Sequence, residues 1–131
     1  MPAGELPNDV QQLFRDRIRS IEQLEIVLLL RADQEHPWTA AKVYQEIRSS
    51  ERSVHEALQI LSQKGLLRSN APVAPTFSYS PESADLRATL DRLAHLYAER
   101  RVRIVEAIYS EPISAVDEFA KAFRIRKDPD A

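Results

Sequence analysis

The chain has no cysteine, which excludes disulfides, thiolate catalysis and zinc sites built on cysteine, and is compatible with a reducing cytoplasm. Only two of its 131 residues are glycines, so a glycine-rich phosphate loop is excluded and long helices are favoured. The longest apolar run, Ile26 to Leu30, is too short to cross a bilayer. The first nine residues are polar and acidic, so a secretory signal peptide is not expected. These absences favour a cytoplasmic protein that does not enter the membrane.

A strong excess of one charge is also lacking, since the formal net charge is −2. The charge is unevenly distributed. Residues 39–80 carry five Lys/Arg and three Asp/Glu, whereas the segments on either side are net negative. Arginine outnumbers lysine fourteen to four, and its planar guanidinium suits bidentate contact with either phosphate or carboxylate. The central segment is therefore mildly basic inside an acidic chain, which fits a nucleic-acid partner or an acidic protein partner.

Signs of catalysis or metal binding are absent from the pattern. His36, His55 and His95 lie far apart in the sequence, and none has a ligand-spaced partner. Carboxylates are plentiful, but no spacing singles out an acid–base pair. The sequence therefore predicts no metal, no cofactor and no enzyme activity.

Residues 39–80 have the most informative order of predicted elements. Thr39 and Ser50 are good N-caps for two short helices separated by a tight turn. In the second helix, four apolar residues recur at helical spacing and are predicted to face the core, namely Val54, Ala57, Leu58 and Leu61. Gly65 fits the C′ position, where a positive φ costs glycine little. Residues 66–70 and 76–80 then read as two short strands joined by a proline-containing loop.

This order of helix, turn, helix and two-stranded ribbon resembles the winged helix-turn-helix family of bacterial transcriptional regulators, in the manner of the MarR and PadR groups. The resemblance covers roughly residues 20–80 and rests on "VHEALQILSQKGLL" followed by a hairpin. It implies a mainly α fold with a small β-hairpin, in which the start of the second helix enters the major groove of DNA. Winged helices also serve as protein-binding modules, so a protein-interaction adaptor remains the alternative function.

The resemblance implies DNA-contacting residues on and around the second helix. Arg52 is the candidate for a guanine edge or a phosphate, and His55 and Gln59 for bases or backbone. Candidates for bracing phosphates are Lys42, Ser50, Ser53, Lys64 and Arg68. Glu51 and Glu56 oppose phosphate binding by charge, and the predicted wing tip lacks the usual Arg or Lys. The competing interpretation is that these charges form an ordinary solvated helix face, with Ser50 only a cap.

A long helix is predicted to begin at Ser80 and Pro81 and to continue to about Tyr109. Its apolar residues follow a heptad-like seam, interrupted by Arg100, and core packing or dimer packing would both explain that seam. We expect a homodimer whose interface contains Leu86, Leu90, Leu93, Tyr97, Ile104 and Ile108.

Three regions are predicted along the chain: a helical extension over 1–19, the winged unit over 20–80, and the dimerisation helix with an amphipathic segment over 81–131. In the last segment Phe119 and Phe123 share one predicted helix face, so they are candidates for docking on a partner subunit or another protein. The sequence as a whole predicts a DNA-binding transcriptional regulator that acts as a homodimer.

Overall fold

The computed structural model describes residues 6–70 and 75–110. The wing tip at 71–74 and the amphipathic segment with Phe119 and Phe123 lie outside the described residues. The described part contains these elements in chain order: α1 (Asn8–Asp16), α2 (Ile21–Ala32), β1 (Trp38–Thr39), α3 (Ala40–Glu46), α4 (Glu51–Gln63), β2 (Leu67–Asn70), β3 (Thr76–Tyr79), α5 (Ala84–Glu99) and α6 (Arg101–Ser110). The predicted fold class, mainly helical with a small antiparallel hairpin, is confirmed.

Helix starts follow side-chain capping, as the sequence predicts for Thr39 and Ser50. Ser20, Thr39 and Ser50 begin α2, α3 and α4, and each side-chain oxygen accepts the backbone N–H three residues further on at 3.0–3.1 Å. The predicted cap of the following long helix was wrong. Ser83 rather than Ser80 caps α5, where its Oγ accepts a backbone N–H at 3.1 Å. Both serines meet the local rule, so the choice between them depends on tertiary packing.

The sheet has three strands in the order β1-β3-β2. Strands β2 and β3 form the predicted hairpin, with Leu67 opposite Tyr79 and Asn70 opposite Thr76. Strand β1 was not predicted. It adds Trp38 opposite Phe77, and the largely buried Trp38 ring lies at the edge of the core. The segment before the two central helices is therefore tied to the strand after them.

One apolar core holds the described helices and the sheet together. The buried face of α4 packs against α2, α3 and β2, while α1 packs against α5 and α6. The four residues predicted to face inward from α4 are all buried: Val54, Ala57, Leu58 and Leu61. The apolar residues that recur at helical spacing in α1 and just after it are buried as well: Val10, Leu13, Phe14 and Ile18. The helical periodicity therefore identified the correct faces of these two elements.

The single long helix predicted after the hairpin is wrong, because it is broken at Arg100. The backbone there has φ −132° and ψ 52°, which ends α5 before α6 begins. Arg100 occupies the seam position where an apolar residue would be buried, and the break leaves its side chain exposed. Burial of an unpaired guanidinium would cost far more than the lost helical turn. The charge of Arg100 therefore accounts for the position of the break.

The apolar seam of α5 and α6 packs within one chain. Leu90, Leu93 and Ile104 are completely buried there, whereas Tyr97 is partly exposed. Leu86 and Ile108 are each 8% exposed. The predicted contact of these residues with a second copy stays a prediction, and in the single chain they form the layer that joins α5 and α6 to α1.

Candidate nucleic-acid interface

Helix α4 exposes one polar face while its opposite face lies in the core. Arg52, His55 and Gln59 are all exposed, and their spacing of three and four residues aligns them along one side of the helix. Helix α3 and the turn at 47–50 hold the start of α4 at the surface. Three of the side chains that the resemblance points to are therefore brought together on one accessible line.

Arg52 is paired with a carboxylate on its own helix. Its Nε lies 3.3 Å from Glu56 Oε1, and the two side chains are 90% and 62% exposed. An exposed pair of this kind contributes only about 0–1 kcal/mol. The guanidinium can therefore leave Glu56 for a phosphate or a guanine edge at little cost.

The serines at the start of α4 have partners inside the protein. Ser50 is the N-cap, and its Oγ accepts the N–H of Ser53 at 3.0 Å. Ser53 Oγ donates to Glu22 Oε1 at 2.6 Å, and Ser49 Oγ donates to the other oxygen of Glu22. Glu22 could not be predicted from the sequence, because it lies 27 residues from Ser49 and 31 residues from Ser53, and no local pattern signals the contact.

The other predicted phosphate contacts are distributed over three elements. Lys42 lies on α3 with its Nζ 4.6 Å from the centroid of the Trp38 ring. Lys64 is the exposed C-cap residue of α4, and Arg68 is exposed on β2. A helix of the length of α4 spans about 20 Å, so Lys64 and Arg52 lie near opposite ends of it. Lys64 is therefore not close to Arg52.

The end of α4 is braced by the N-terminal part of the chain. Arg17 Nη1 donates to the carbonyl of Lys64 and also lies 2.9 Å from Glu82 Oε1. Gly65 has φ +80°, as its predicted C′ position requires, and its N–H donates to the carbonyl of Ser62 at 3.2 Å. The contact of Arg17 with the Lys64 carbonyl fixes the C-terminal end of α4, as the contacts of Glu22 with Ser49 and Ser53 fix its beginning.

A second polar group joins the sheet and α2 to α5. Arg31 on α2 pairs with Asp91 on α5 at 2.8 Å, and Arg87 lies 5.4 Å from the centroid of the Tyr79 ring. Burial raises the pKa of Tyr79, the charge of Asp91 raises it further, and the nearby Arg31 and Arg87 oppose both effects. Within the described residues the buried Tyr79 hydroxyl makes no hydrogen bond of normal geometry.

Within residues 6–70 and 75–110, no three His, Cys, Asp or Glu side chains form a group that could hold a metal ion. None of the helices in these ranges combines the length and apolar character needed to cross a membrane.

The arrangement of α3, the turn, α4 and the hairpin is consistent with a winged helix-turn-helix fold. The chain resembles the solved structure of BpsR from Bordetella bronchiseptica, described in a study of how 6-hydroxynicotinic acid regulates the DNA binding of that protein. The TM-score is 0.50 and the identity 16%, over 94% of this chain and 84% of that one. At this identity the likeness concerns the fold. No family model matches the chain, and no curated protein is recognisably similar to it.

Proposed function

We propose that the chain is a DNA-binding transcriptional regulator that inserts α4 into the major groove. The observation that carries this proposal is the exposed line of Arg52, His55 and Gln59 on a helix whose other face is buried. In that geometry side chains reach base edges while the core holds the helix rigidly. The fold shared with BpsR, whose DNA binding is the subject of its published description, supports the same function.

Arg52 is the residue that reads or anchors DNA in this proposal. It exchanges Glu56 for a phosphate or a guanine, while His55 and Gln59 contact neighbouring groups. Ser50 presents the start of α4, and Lys42, Lys64 and Arg68 contact phosphates on either side. Ser53 does not contact DNA in this proposal, since its hydroxyl already donates to Glu22.

We also propose that the regulator acts as a homodimer through α5 and α6. A two-fold dimer places two copies of α4 in grooves one helical turn apart, about 34 Å. The buried seam packs these helices against the rest of the chain. Their exposed apolar surface would contact the second copy, and it consists of the partly exposed Tyr97 and the exposed Val102 and Tyr109. Sedimentation equilibrium of the wild type and Tyr109→Ser tests this, and a monomeric wild type at micromolar concentration would contradict it.

The DNA proposal is tested by fluorescence anisotropy with random-sequence and genomic duplexes across a salt series. Replacing Arg52 with alanine should weaken binding by about 1–3 kcal/mol, since a bidentate contact or a phosphate contact is lost. Arg87→Ala is the matched control, because it removes the same charge from α5. If the folded protein binds neither duplex pool at low salt, the proposal is wrong.

The runner-up is a protein-interaction adaptor built on the same fold. It is favoured by the depression beside the start of α4, whose charged lining is three carboxylates (Glu22, Glu25 and Glu46) and Arg48, and by the exposed Val102 and Tyr109 on α6. A folded wild-type protein that does not bind DNA at low salt would support the adaptor function. Salt-sensitive DNA binding that is lost in Arg52→Ala would exclude the adaptor function as the main one.

A further inference from the structure

The carboxylate of Glu22 lies at the point where α4 begins. Both of its oxygens accept hydroxyl groups, one from Ser53 at 2.6 Å and the other from Ser49 in the turn before α4. Glu22 itself stands in the first turn of α2, so this contact joins the starts of two helices. The side chain is only partly buried, so its negative charge contributes to the electrostatic potential at the surface beside α4.

The first turn of a helix is also where backbone phosphates of DNA bind most readily, because its free N–H groups and dipole attract negative charge. In this protein a carboxylate of the chain lies against that turn. The Ser49 and Ser53 hydroxyls, which would otherwise donate to phosphate, donate to Glu22 instead. Ser50 Oγ is engaged with the N–H of Ser53. Two of the three serine hydroxyls at the start of α4 are therefore already donated within the protein.

We propose that Glu22 is a specificity-determining residue that weakens the general attraction of α4 for the DNA backbone. It does so by placing a carboxylate of the chain beside the first turn of α4, where that carboxylate accepts the Ser49 and Ser53 hydroxyls. Binding then depends more heavily on contacts made by the Arg52 line, because less affinity comes from phosphates that every sequence shares. This inference rests on the proposed DNA-binding function and names a residue that limits it.

The test replaces Glu22 with glutamine, which keeps the size of the side chain and removes its charge. The probe is a fluorescent 24-base-pair duplex of random sequence, titrated by anisotropy from about 20 to 200 mM salt. Loss of one like charge near the backbone should tighten binding about fivefold to tenfold at the lowest salt. The gain should shrink as the salt concentration rises, because salt screens the repulsion that the substitution removes.

Glu35→Gln is the matched control, because it makes the same change in net charge beyond the far end of α2, where the side chain is exposed. A second variant, Ser53→Ala, keeps the Glu22 charge and removes one of the hydroxyls it accepts. Because that hydroxyl is given to Glu22 rather than to DNA, Ser53→Ala should leave the affinity within about twofold of the wild type.

The outcomes separate this inference from the function on which it rests. Wild-type binding that Arg52→Ala weakens upholds the proposed function whatever Glu22 does. The inference is overturned if Glu22→Gln binds no more tightly than Glu35→Gln, or if Ser53→Ala alone weakens binding fivefold. If the wild type and every variant ignore the duplex at the lowest salt, the proposed function fails and the inference fails with it.

Discussion

Replacing Gly65 with alanine should destabilise the fold for two separable reasons. The first is the backbone, since φ is +80° and the left-handed region costs a residue with a Cβ about 1–2 kcal/mol. The second is Glu82, whose carboxylate would clash with the new Cβ and must move. That movement disturbs the partly exposed Arg17–Glu82 pair, which contributes about 0.2–1 kcal/mol. The expected loss in free energy of unfolding is therefore about 1–3 kcal/mol.

A double-mutant cycle measured by urea denaturation separates the two terms. In a Glu82→Ala background the obstacle is gone, so Gly65→Ala should cost only the backbone term, about 1–2 kcal/mol. Gly65→Asn should cost less than alanine, because asparagine tolerates the left-handed region better. A loss below about 0.5 kcal/mol for Gly65→Ala would refute the backbone argument. Equal losses in both backgrounds would refute the role assigned to Glu82.

Three further predictions concern stability and are checked by denaturation with circular dichroism. Leu58→Ala should cost about 2–5 kcal/mol, because Leu58 is fully buried between α4 and its neighbours. Ser50→Ala should cost about 1 kcal/mol through the lost cap of α4, and a loss near zero would contradict that role. Tyr79→Phe should be neutral or stabilising by up to about 1 kcal/mol, since it removes a buried hydroxyl that lacks a good hydrogen bond. Because the pKa of Tyr79 is raised in the folded state, ionisation of this phenol destabilises the fold; the loss of stability is absent below the ordinary pKa of 10.0 and grows as pH rises above it. In Tyr79→Phe that part of the alkaline loss should disappear.

Features set by neighbouring residues were predictable from the sequence. A hydroxyl three residues before a free backbone N–H marks a helix start at Ser20, Thr39 and Ser50, and a glycine after an apolar periodicity marks a helix end at Gly65. The buried face of α4 follows from its spacing alone, and so does the outward line that begins at Arg52. Each of these features is decided within about one helical turn.

Features that depend on distant residues were missed or wrongly predicted. Strand β1 has only two residues, and its pairing of Trp38 with Phe77 depends on a partner far along the chain. The contact of Glu22 with the serines of α4 is equally non-local. At Arg100 the sequence did carry a signal, a charge on an apolar seam, but the cost of burying it had to be weighed against that of breaking the helix. The outcome depended on the tertiary core.

The sheet order β1-β3-β2 has a consequence for how the molecule folds. Strand β3 pairs with both β1 and β2. A short hairpin loop joins β2 to β3, whereas α3, α4 and β2 lie between β1 and β3 along the chain. Closing the longer loop costs more chain entropy, so the hairpin and the α3–α4 pair are expected to form first and the Trp38–Phe77 pairing last. Residues 40–66 are then a closed loop fastened at both ends to one strand. Because Thr39 both pairs with Thr76 of β3 and caps α3, the hairpin is joined directly to the start of α3.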